Sequence, residues 1–264
     1  MDILSYTFFQ NALMCLLLAS VVAAVIGTYI VVRRMVFITG GIIHASFGGL
    51  GIGFWAGINP VLSAGVVAVL SALGVEWLSD KQRVREDSAI GVVWALGMAV
   101  GTIFIFLTPG YVPELNSFLF GNILTITTTD LVAIAIYLLV LLTLVILCYK
   151  KLVLSAFDAD FGKTKSLCVS GVNAFGAVFV ALGVVLMIRL VGVMLLISLI
   201  TLPTMIAECF TRRLPCIIYS SALLSIVCAV TGLFISTIVS VPTSALIVII
   251  LVSLYAFSKF ITRQ

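Results

Sequence analysis

The feature that most restricts how this chain can fold is a succession of nine apolar segments separated by short polar stretches. They cover residues 11–32, 36–58, 60–78, 88–107, 131–149, 172–188, 191–210, 216–238 and 242–257. A helix rises about 1.5 Å per residue and the hydrocarbon core of a bilayer is about 30 Å thick, so each segment is close to one crossing in length. Because hydrocarbon offers the backbone no hydrogen-bonding partner, we predict an all-α, polytopic membrane bundle of about nine spans.

Composition excludes a soluble fold. Of the 264 residues, 63% are hydrophobic and 9% are charged, so too little polar chain remains for a soluble domain. We therefore expect a single transmembrane domain over residues 1–264. The net charge of +4 does not indicate nucleic-acid binding, because the basic residues stand at the ends of apolar runs. The six cysteines form no CxxC pair, so neither a zinc site nor a disulfide framework is expected.

The distribution of basic residues predicts the orientation of the chain. If the amino terminus is outside and there are nine crossings, every Lys and Arg except Arg189 falls on the inside. This is the asymmetry of the positive-inside rule, and it places the carboxyl terminus inside. The stretch 108–130 is then outside. Its apolar middle, 115–126, is too short to span, so we expect a re-entrant or interfacial piece there.

One stretch carries an unusual polar group, the chain's single histidine. Residues 33–55 read RRMVFITGGIIHASFGGLGIGFW, and His44 lies ten residues beyond Arg34 at the membrane edge. Ten helical residues measure about 15 Å, which places His44 near the bilayer midplane. An imidazole is costly in hydrocarbon, so we expect it to face either a transport pathway or a hydrogen-bonding group on a neighbouring helix.

Small residues accompany the histidine at helical spacing. Gly40, His44, Gly48 and Gly51 share one helical face, and the missing side chains leave room for another helix or for a permeant. With Ser46 in the same segment, we predict that Gly40, His44, Ser46 and Gly48 line a substrate pathway.

Two further pathway candidates lie in LITLPTMIAECF, the second half of the seventh segment. Pro203 is expected to break or kink this helix and free backbone carbonyls. Glu208 is the acidic residue nearest the inner end of the segment. It could line a vestibule, or it could pair with Arg212 four residues further on.

Two stretches on the predicted inner side are long enough to contact another protein. The first, 79–91, contains Glu86 and Asp87 at a helix start. The second, 150–176, combines apolar Phe157 and Phe161 with charged Asp158 and Asp160, so a short helix there would present a mixed face for docking. Its GKT tripeptide does not complete a phosphate-binding loop, because Phe157 stands where that motif needs glycine. Any nucleotide hydrolysis is therefore expected in another chain.

The residues resemble a known family, the permease subunits of bacterial ATP-driven importers for zinc, manganese or ferrous iron. The resemblance runs in order along nearly the whole chain. Its blocks are RRM to HAS at 33–46, REDSAIG at 85–91, LNSFLFGNILTIT at 115–127, FDADF at 157–161, VGVMLLISLITLPTMIA at 191–207 and VPTSAL at 241–246. Each block alone is weak evidence, but the ordered set is specific.

The resemblance implies a fold similar to the helical permeases of vitamin B12 and siderophore importers, with fewer spans. It implies a multi-pass protein of the bacterial inner membrane with no enzymatic activity and no resident cofactor. It also implies a second permease copy as a homodimer partner, a cytoplasmic ATPase that uses the ATP, and an extracytoplasmic metal-binding protein. The transported substrate would be a divalent metal, with His44 as its candidate ligand.

The resemblance also gives two residue-level expectations. The segment 155–171 would form the helix that couples the permease to the ATPase, with Phe157, Asp158, Asp160, Phe161 and Gly171 as coupling residues. Relatives often carry an aspartate four residues before the histidine, where this chain has Gly40. A lone imidazole holds a divalent ion more weakly than an imidazole and a carboxylate together.

Three alternatives remain open from the sequence. A permease for a chelated metal would need a wider pathway and longer external loops. An ion-coupled secondary carrier would need intramembrane acidic residues, of which this chain has little beyond Glu208. A membrane-embedded enzyme would need a catalytic constellation, and none is present in the sequence.

Overall fold

The computed structural model describes residues 6–80, 84–109, 121, 126–157, 159–165 and 168–262, without the side chains of residues 80, 159, 160 and 163. The described residues are helical and contain no strand. The helices are α1 (Thr7–Val32), α2 (Val36–Ala56), α3 (Pro60–Asp80), α4 (Glu86–Leu107), α5 (Thr128–Phe157), α6 (Ala159–Thr164), α7 (Val169–Phe210), α8 (Leu214–Val239) and α9 (Thr243–Thr262). The predicted all-α membrane fold is confirmed. The predicted piece at 115–126 lies largely outside the described residues.

The number of separate apolar helices differs from the prediction. Among the described residues, eight helices are long and apolar enough to cross a membrane, and not nine. The difference lies in α7, whose 42 residues contain both the sixth and the seventh predicted segment. A straight helix of that length would measure about 63 Å, twice the thickness of a bilayer core.

Helix α7 is interrupted at Gly192, between the two predicted segments. Gly192 has non-helical angles, φ 79° and ψ 164°, which a residue without a Cβ adopts at little cost. The backbone of Val191 and Gly192 packs directly against Gly121, which also has a positive φ of 64°. Arg189 pairs with Asp130 in the first turn of α5, with 3.4 Å between Nη1 and Oδ1. Residues 189–192 therefore lie at the amino-terminal end of α5.

The chain turns back at this interruption. Asn11 donates a hydrogen bond to the carbonyl of Ile126 at 3.1 Å, so α1 begins at the same end as α5. Gly27, about 24 Å further along α1, packs against the carbonyl of Ile200. Ile200 is only eight residues beyond Gly192, so residues 193–210 run alongside α1 and away from that end. This supports one crossing for 169–191 and another for 193–210, and we retain nine crossings as the topology.

Packing divides the chain into two compact units. The first consists of Met1–Val31, Leu115–Leu142 and Leu186–Gln264, and the second of Val32–Glu114 and Thr143–Val185. In the first unit, α8 packs on α9, where Gly232 contacts Ile247. Fully buried apolar side chains, including Leu196 and Leu199 of α7, form its core. The single transmembrane domain inferred from composition stays a prediction.

In the second unit, α2 packs against both α3 and α4 through its glycines. Gly49 and Gly53 lie against the start of α3, where Ser63 donates a hydrogen bond to the Gly49 carbonyl at 2.6 Å. A methyl group added at Gly48 would lie 2.8 Å from the carbonyl oxygen of Gly97 on α4, and one at Gly51 would lie 2.6 Å from that of Gly101. Small residues on both sides thus let the backbones approach closely, as in other membrane helix pairs.

We expect Gly48→Ala to destabilise the chain by about 1–3 kcal/mol, because the added methyl would meet the backbone of α4 rather than a movable side chain. Gly40→Ala is the matched control. A methyl at Gly40 would lie 3.5 Å from the Trp94 ring, an ordinary contact distance. Thermal unfolding of the detergent-solubilised proteins measures the difference. Equal melting temperatures for the two variants would contradict the packing argument.

Cysteine labelling tests the topology. In a chain without its native cysteines, single cysteines at Thr7, Thr128 and Ser240 should react with an impermeant reagent added to intact cells. Single cysteines at Lys165 and Thr262 should react only after the membrane is opened. Labelling of Thr7 and Thr262 from the same side would require an even number of crossings and would exclude the reversal at Gly192.

Candidate transport site

His44 lies on α2 with buried residues on either side of it along the helix, while its own side chain is half-buried. Its imidazole stacks on the indole of Trp94 in α4, with ring centroids 4.1 Å apart and an angle of 9° between the ring planes. Stacked aromatic pairs contribute about 1 kcal/mol beyond the area they bury. The central contact of the candidate site is therefore between two rings, not between a ring and a polar group.

The predicted shared face exists, and α4 covers it. Along α2, Gly40 and His44 lie beside Trp94, whereas Gly48 and Gly51 lie beside Gly97 and Gly101. The sequence allowed these glycines to make room either for another helix or for a permeant. Gly48 and Gly51 make room for another helix, α4. Gly40 remains partly exposed.

Ser46 contributes no open polar group at this site. It is buried, and its hydroxyl donates a hydrogen bond to the Ile43 carbonyl of its own helix at 2.6 Å. The predicted pathway role of Ser46 stays a prediction.

The imidazole of His44 has no hydrogen-bonding partner among the described residues. The expectation of a histidine hydrogen-bonded to a neighbouring helix is therefore not met in the part of the chain that the structure describes. Nor do these residues contain any group of three or more His, Cys, Asp or Glu side chains that could hold a metal ion. Among the described residues of one copy, His44 is therefore a single imidazole with one face covered by Trp94 and with no hydrogen-bonding partner for its ring nitrogens.

The structure excludes a break of the helix at Pro203 and an ion pair between Glu208 and Arg212, while the pathway roles of Pro203 and Glu208 stay predictions. Helical backbone continues through Pro203, and the interruption of α7 lies at Gly192 instead. Proline still provides no N–H for the carbonyl of Leu199 one turn earlier. Glu208 is exposed and forms no ion pair with Arg212, because α7 ends at Phe210 and the pair no longer has helical spacing. Lys259, in the last turn of α9, lies within electrostatic range of Glu208.

The predicted coupling segment forms a shorter helix than expected. Residues 155–157 still belong to α5 and Gly171 already belongs to α7, so α6 contains only six residues, Ala159–Thr164. Phe157 is 62% exposed and Phe161 is 48% exposed, which agrees with a surface available to a partner. Asp158 and the side chain of Asp160 lie outside the described residues. Ser155, at the end of α5, hydrogen-bonds Asn173 in the first turns of α7.

Two features of the site were missed by the sequence reasoning. Trp94 was not singled out, although Trp94, Gly97 and Gly101 follow each other at helical spacing and complement the His44 face. The ion pair between Arg33 and Glu76 was also missed. It joins the turn after α1 to the end of α3 at 3.3 Å, with both side chains largely buried. Only the tertiary structure brings these residues together.

Comparison with known proteins identifies the family. The chain matches the sequence profile described as "ABC 3 transport family" over residues 5–262. It belongs to this family. Such a match, with eight apolar helices in the described part, makes the chain a multi-pass protein of the bacterial plasma membrane.

Relatives and solved structures agree with this assignment. The chain is 36% identical to an uncharacterized membrane protein of Synechocystis sp. over 98% of its own length and 92% of the relative. It is 32% identical to the manganese transport system membrane protein MntC of Halalkalibacterium halodurans, over 100% and 90% of the two chains. It is also similar to a chain of PsaBC from Streptococcus pneumoniae in complex with Fab, with a TM-score of 0.85, 26% identity and coverage of 97% and 92%.

A second solved structure supports the fold alone. It is described as an inward-facing conformation of a putative metal-chelate type ABC transporter, and it shares 14% identity at a TM-score of 0.71. The chain covers 85% of that protein.

Proposed function

We propose that this chain is the membrane-spanning permease subunit of an importer that moves a divalent metal ion into the cytoplasm, with manganese as its first candidate substrate and zinc and ferrous iron as the others. The observation that carries the proposal is the family match over nearly the whole chain. Support for manganese comes from relatives named as manganese transport proteins in Halalkalibacterium halodurans and Listeria monocytogenes. A secondary carrier is not favoured, because the family is one of ABC transporters.

His44 is the residue that we propose meets the ion. An imidazole nitrogen binds first-row transition metals but not magnesium or calcium, which prefer oxygen ligands. In the described part of the chain, His44 belongs to no group of three or more His, Cys, Asp or Glu side chains that could hold a metal ion. The ion would therefore keep most of its water ligands while it passes His44. Weak, single-donor binding suits a transport site, because the ion must also leave.

The proposal includes three partners. A cytoplasmic ATPase would hydrolyse ATP, an extracytoplasmic metal-binding protein would deliver the ion, and a second copy of the chain would complete the permease. Two copies related by a two-fold axis present the same residues to each other, so a pathway on that axis would offer two imidazoles instead of one.

The His44→Ala variant tests the metal pathway. We expect uptake of radioactive manganese by cells that express the whole transporter to fall at least about tenfold, the usual effect of weakening a metal site. Membrane abundance should be nearly unchanged, because the imidazole makes no hydrogen bond among the described residues and the variant loses only the stack on Trp94. Thr102→Ala on α4 is the control, since among the described residues that exposed hydroxyl hydrogen-bonds the Met98 carbonyl of its own helix. Normal uptake by His44→Ala, or loss of the protein from the membrane, would exclude the pathway role.

We also propose that α6 and the residues around it receive the motion of the ATPase. Phe157 is exposed at the end of α5 and Phe161 is exposed on the short helix α6, and Lys165 lies 5.2 Å from the centroid of the Phe161 ring. Exposed aromatic side chains outside the hydrocarbon region are typical anchors of a protein interface.

Phe161→Ala should reduce co-purification of the ATPase and abolish transport, because it removes an aromatic anchor while the helix itself remains. Phe106→Ala is the matched control. That side chain is 86% exposed on α4, near the predicted outer surface, and should not affect ATPase binding. If the ATPase stays bound to the Phe161 variant and uptake continues at the normal rate, the coupling surface lies elsewhere, and residues 85–91 become the next candidate.

A further inference from the structure

The stack with Trp94 does not itself cover the edge of the His44 imidazole through which the ring would bind a metal. An imidazole coordinates a metal in the plane of its ring, through a nitrogen lone pair, whereas stacking covers only a face of the ring. With an angle of 9° between the planes and 4.1 Å between the centroids, the indole covers one face of His44 without blocking either nitrogen. The contact is therefore compatible with coordination.

Gly40 on α2 lies directly beside the indole, and the space there holds a methyl group but is not shown to hold a longer side chain. The ideal Cβ position of Gly40 is 3.5 Å from Cζ3 of Trp94, so the six-membered part of the indole lies beside Gly40 while the ring system stacks on His44. The indole thus extends along one helical turn of α2. A carboxylate or a branched side chain at position 40 would compete with it for this space. The indole of Trp94 thus occupies the space that a side chain at position 40 would otherwise take.

The face of the Trp94 indole would also attract the positive charge that the imidazole gains when it binds a metal ion. This face carries negative electrostatic potential and attracts cationic groups, and an imidazole that has bound a divalent ion carries part of the ion's charge. Metal binding would therefore strengthen the stack. Residues that orient a ligand and raise its affinity in this way are a regular part of metal sites.

We propose that Trp94 is a positioning residue for His44. Its indole holds the imidazole in one ring plane and presents the nitrogen donors, already oriented, to a divalent transition-metal ion at mid-membrane. In this way Trp94 replaces part of the affinity that a carboxylate at position 40 would supply. This inference rests on the proposed function. It adds the residue that would allow a single imidazole to bind the transported ion.

Concentration-dependent manganese uptake by the whole transporter tests the proposal. Trp94→Leu keeps an apolar side chain but has no aromatic face, and we expect it to raise the KM for manganese by about tenfold or more at normal membrane abundance. Trp94→Phe keeps a flat ring and should restore a KM close to that of the native chain. A purely structural role would instead lower abundance and maximal rate together and leave KM unchanged.

A spectroscopic measurement gives a second readout that does not depend on transport. In a chain with Trp55→Phe and Trp77→Phe, Trp94 is the remaining tryptophan. Cobalt(II) is paramagnetic and binds imidazole, so it should quench the fluorescence of Trp94 in a saturable manner. Calcium should have no effect, and His44→Ala should abolish the quenching by cobalt.

The outcomes separate the inference from the proposed function. If His44→Ala abolishes uptake while Trp94→Leu keeps the native KM, the inference is overturned and the function stands. If the native transporter carries no metal, the function fails, and the cobalt titration still decides whether the stacked pair binds a metal ion. Should Trp94→Leu fail to fold, Trp94→Phe and the titration remain. Quenching that persists in His44→Ala would overturn the inference.

Discussion

The close approach of helix backbones in the second unit is the constraint on which the candidate site depends. Inside a bilayer no hydrophobic force drives helices together, so contact area between them must come from close packing. Gly48 and Gly51 of α2 meet Gly97 and Gly101 of α4 at distances that no larger residue permits. This contact sets the distance between the helices one to two turns away, where Trp94 meets His44. A flat stack at 4.1 Å follows from backbone packing elsewhere on the same face.

For the proposed metal pathway, that arrangement gives a chain with one histidine a way to present a ligand at mid-depth, although the described residues form no metal-binding cluster around it. A polar group in hydrocarbon normally requires a hydrogen-bonding partner. Here the aromatic contact shields one face of His44, and its nitrogens are left without a partner among the described residues. Such a group is costly in isolation, but an ion with its water ligands would satisfy it. Polar side chains that are costly to bury in the membrane but can bind a passing ion are characteristic of transport pathways.

A second constraint operates in the first unit, where the chain reverses at Gly192. The reversal brings Arg189 beside Asp130 and places the backbone of Gly192 against Gly121. An added Cβ at Gly121 would meet the backbone of Val191 and Gly192, and Gly192 has a positive φ that a residue without a Cβ adopts at little cost. The ends of three segments of the chain thus lie together on the predicted outer side, and the single basic residue outside the positive-inside pattern has an acidic partner.

The sequence by itself determined the membrane class and the approximate spans, because the length and apolarity of a crossing are set by the bilayer. The orientation stays a prediction from its basic residues. It also determined that Gly40, His44, Gly48 and Gly51 share a face, since helical periodicity is local. Only the tertiary structure decided that α4 covers this face with Trp94, that the sixth and seventh segments are joined through Gly192, and that Glu208 does not pair with Arg212. Each of these depends on where a helix ends or on which helix packs beside it. Periodicity cannot reveal either, because both result from contacts between residues far apart in the chain.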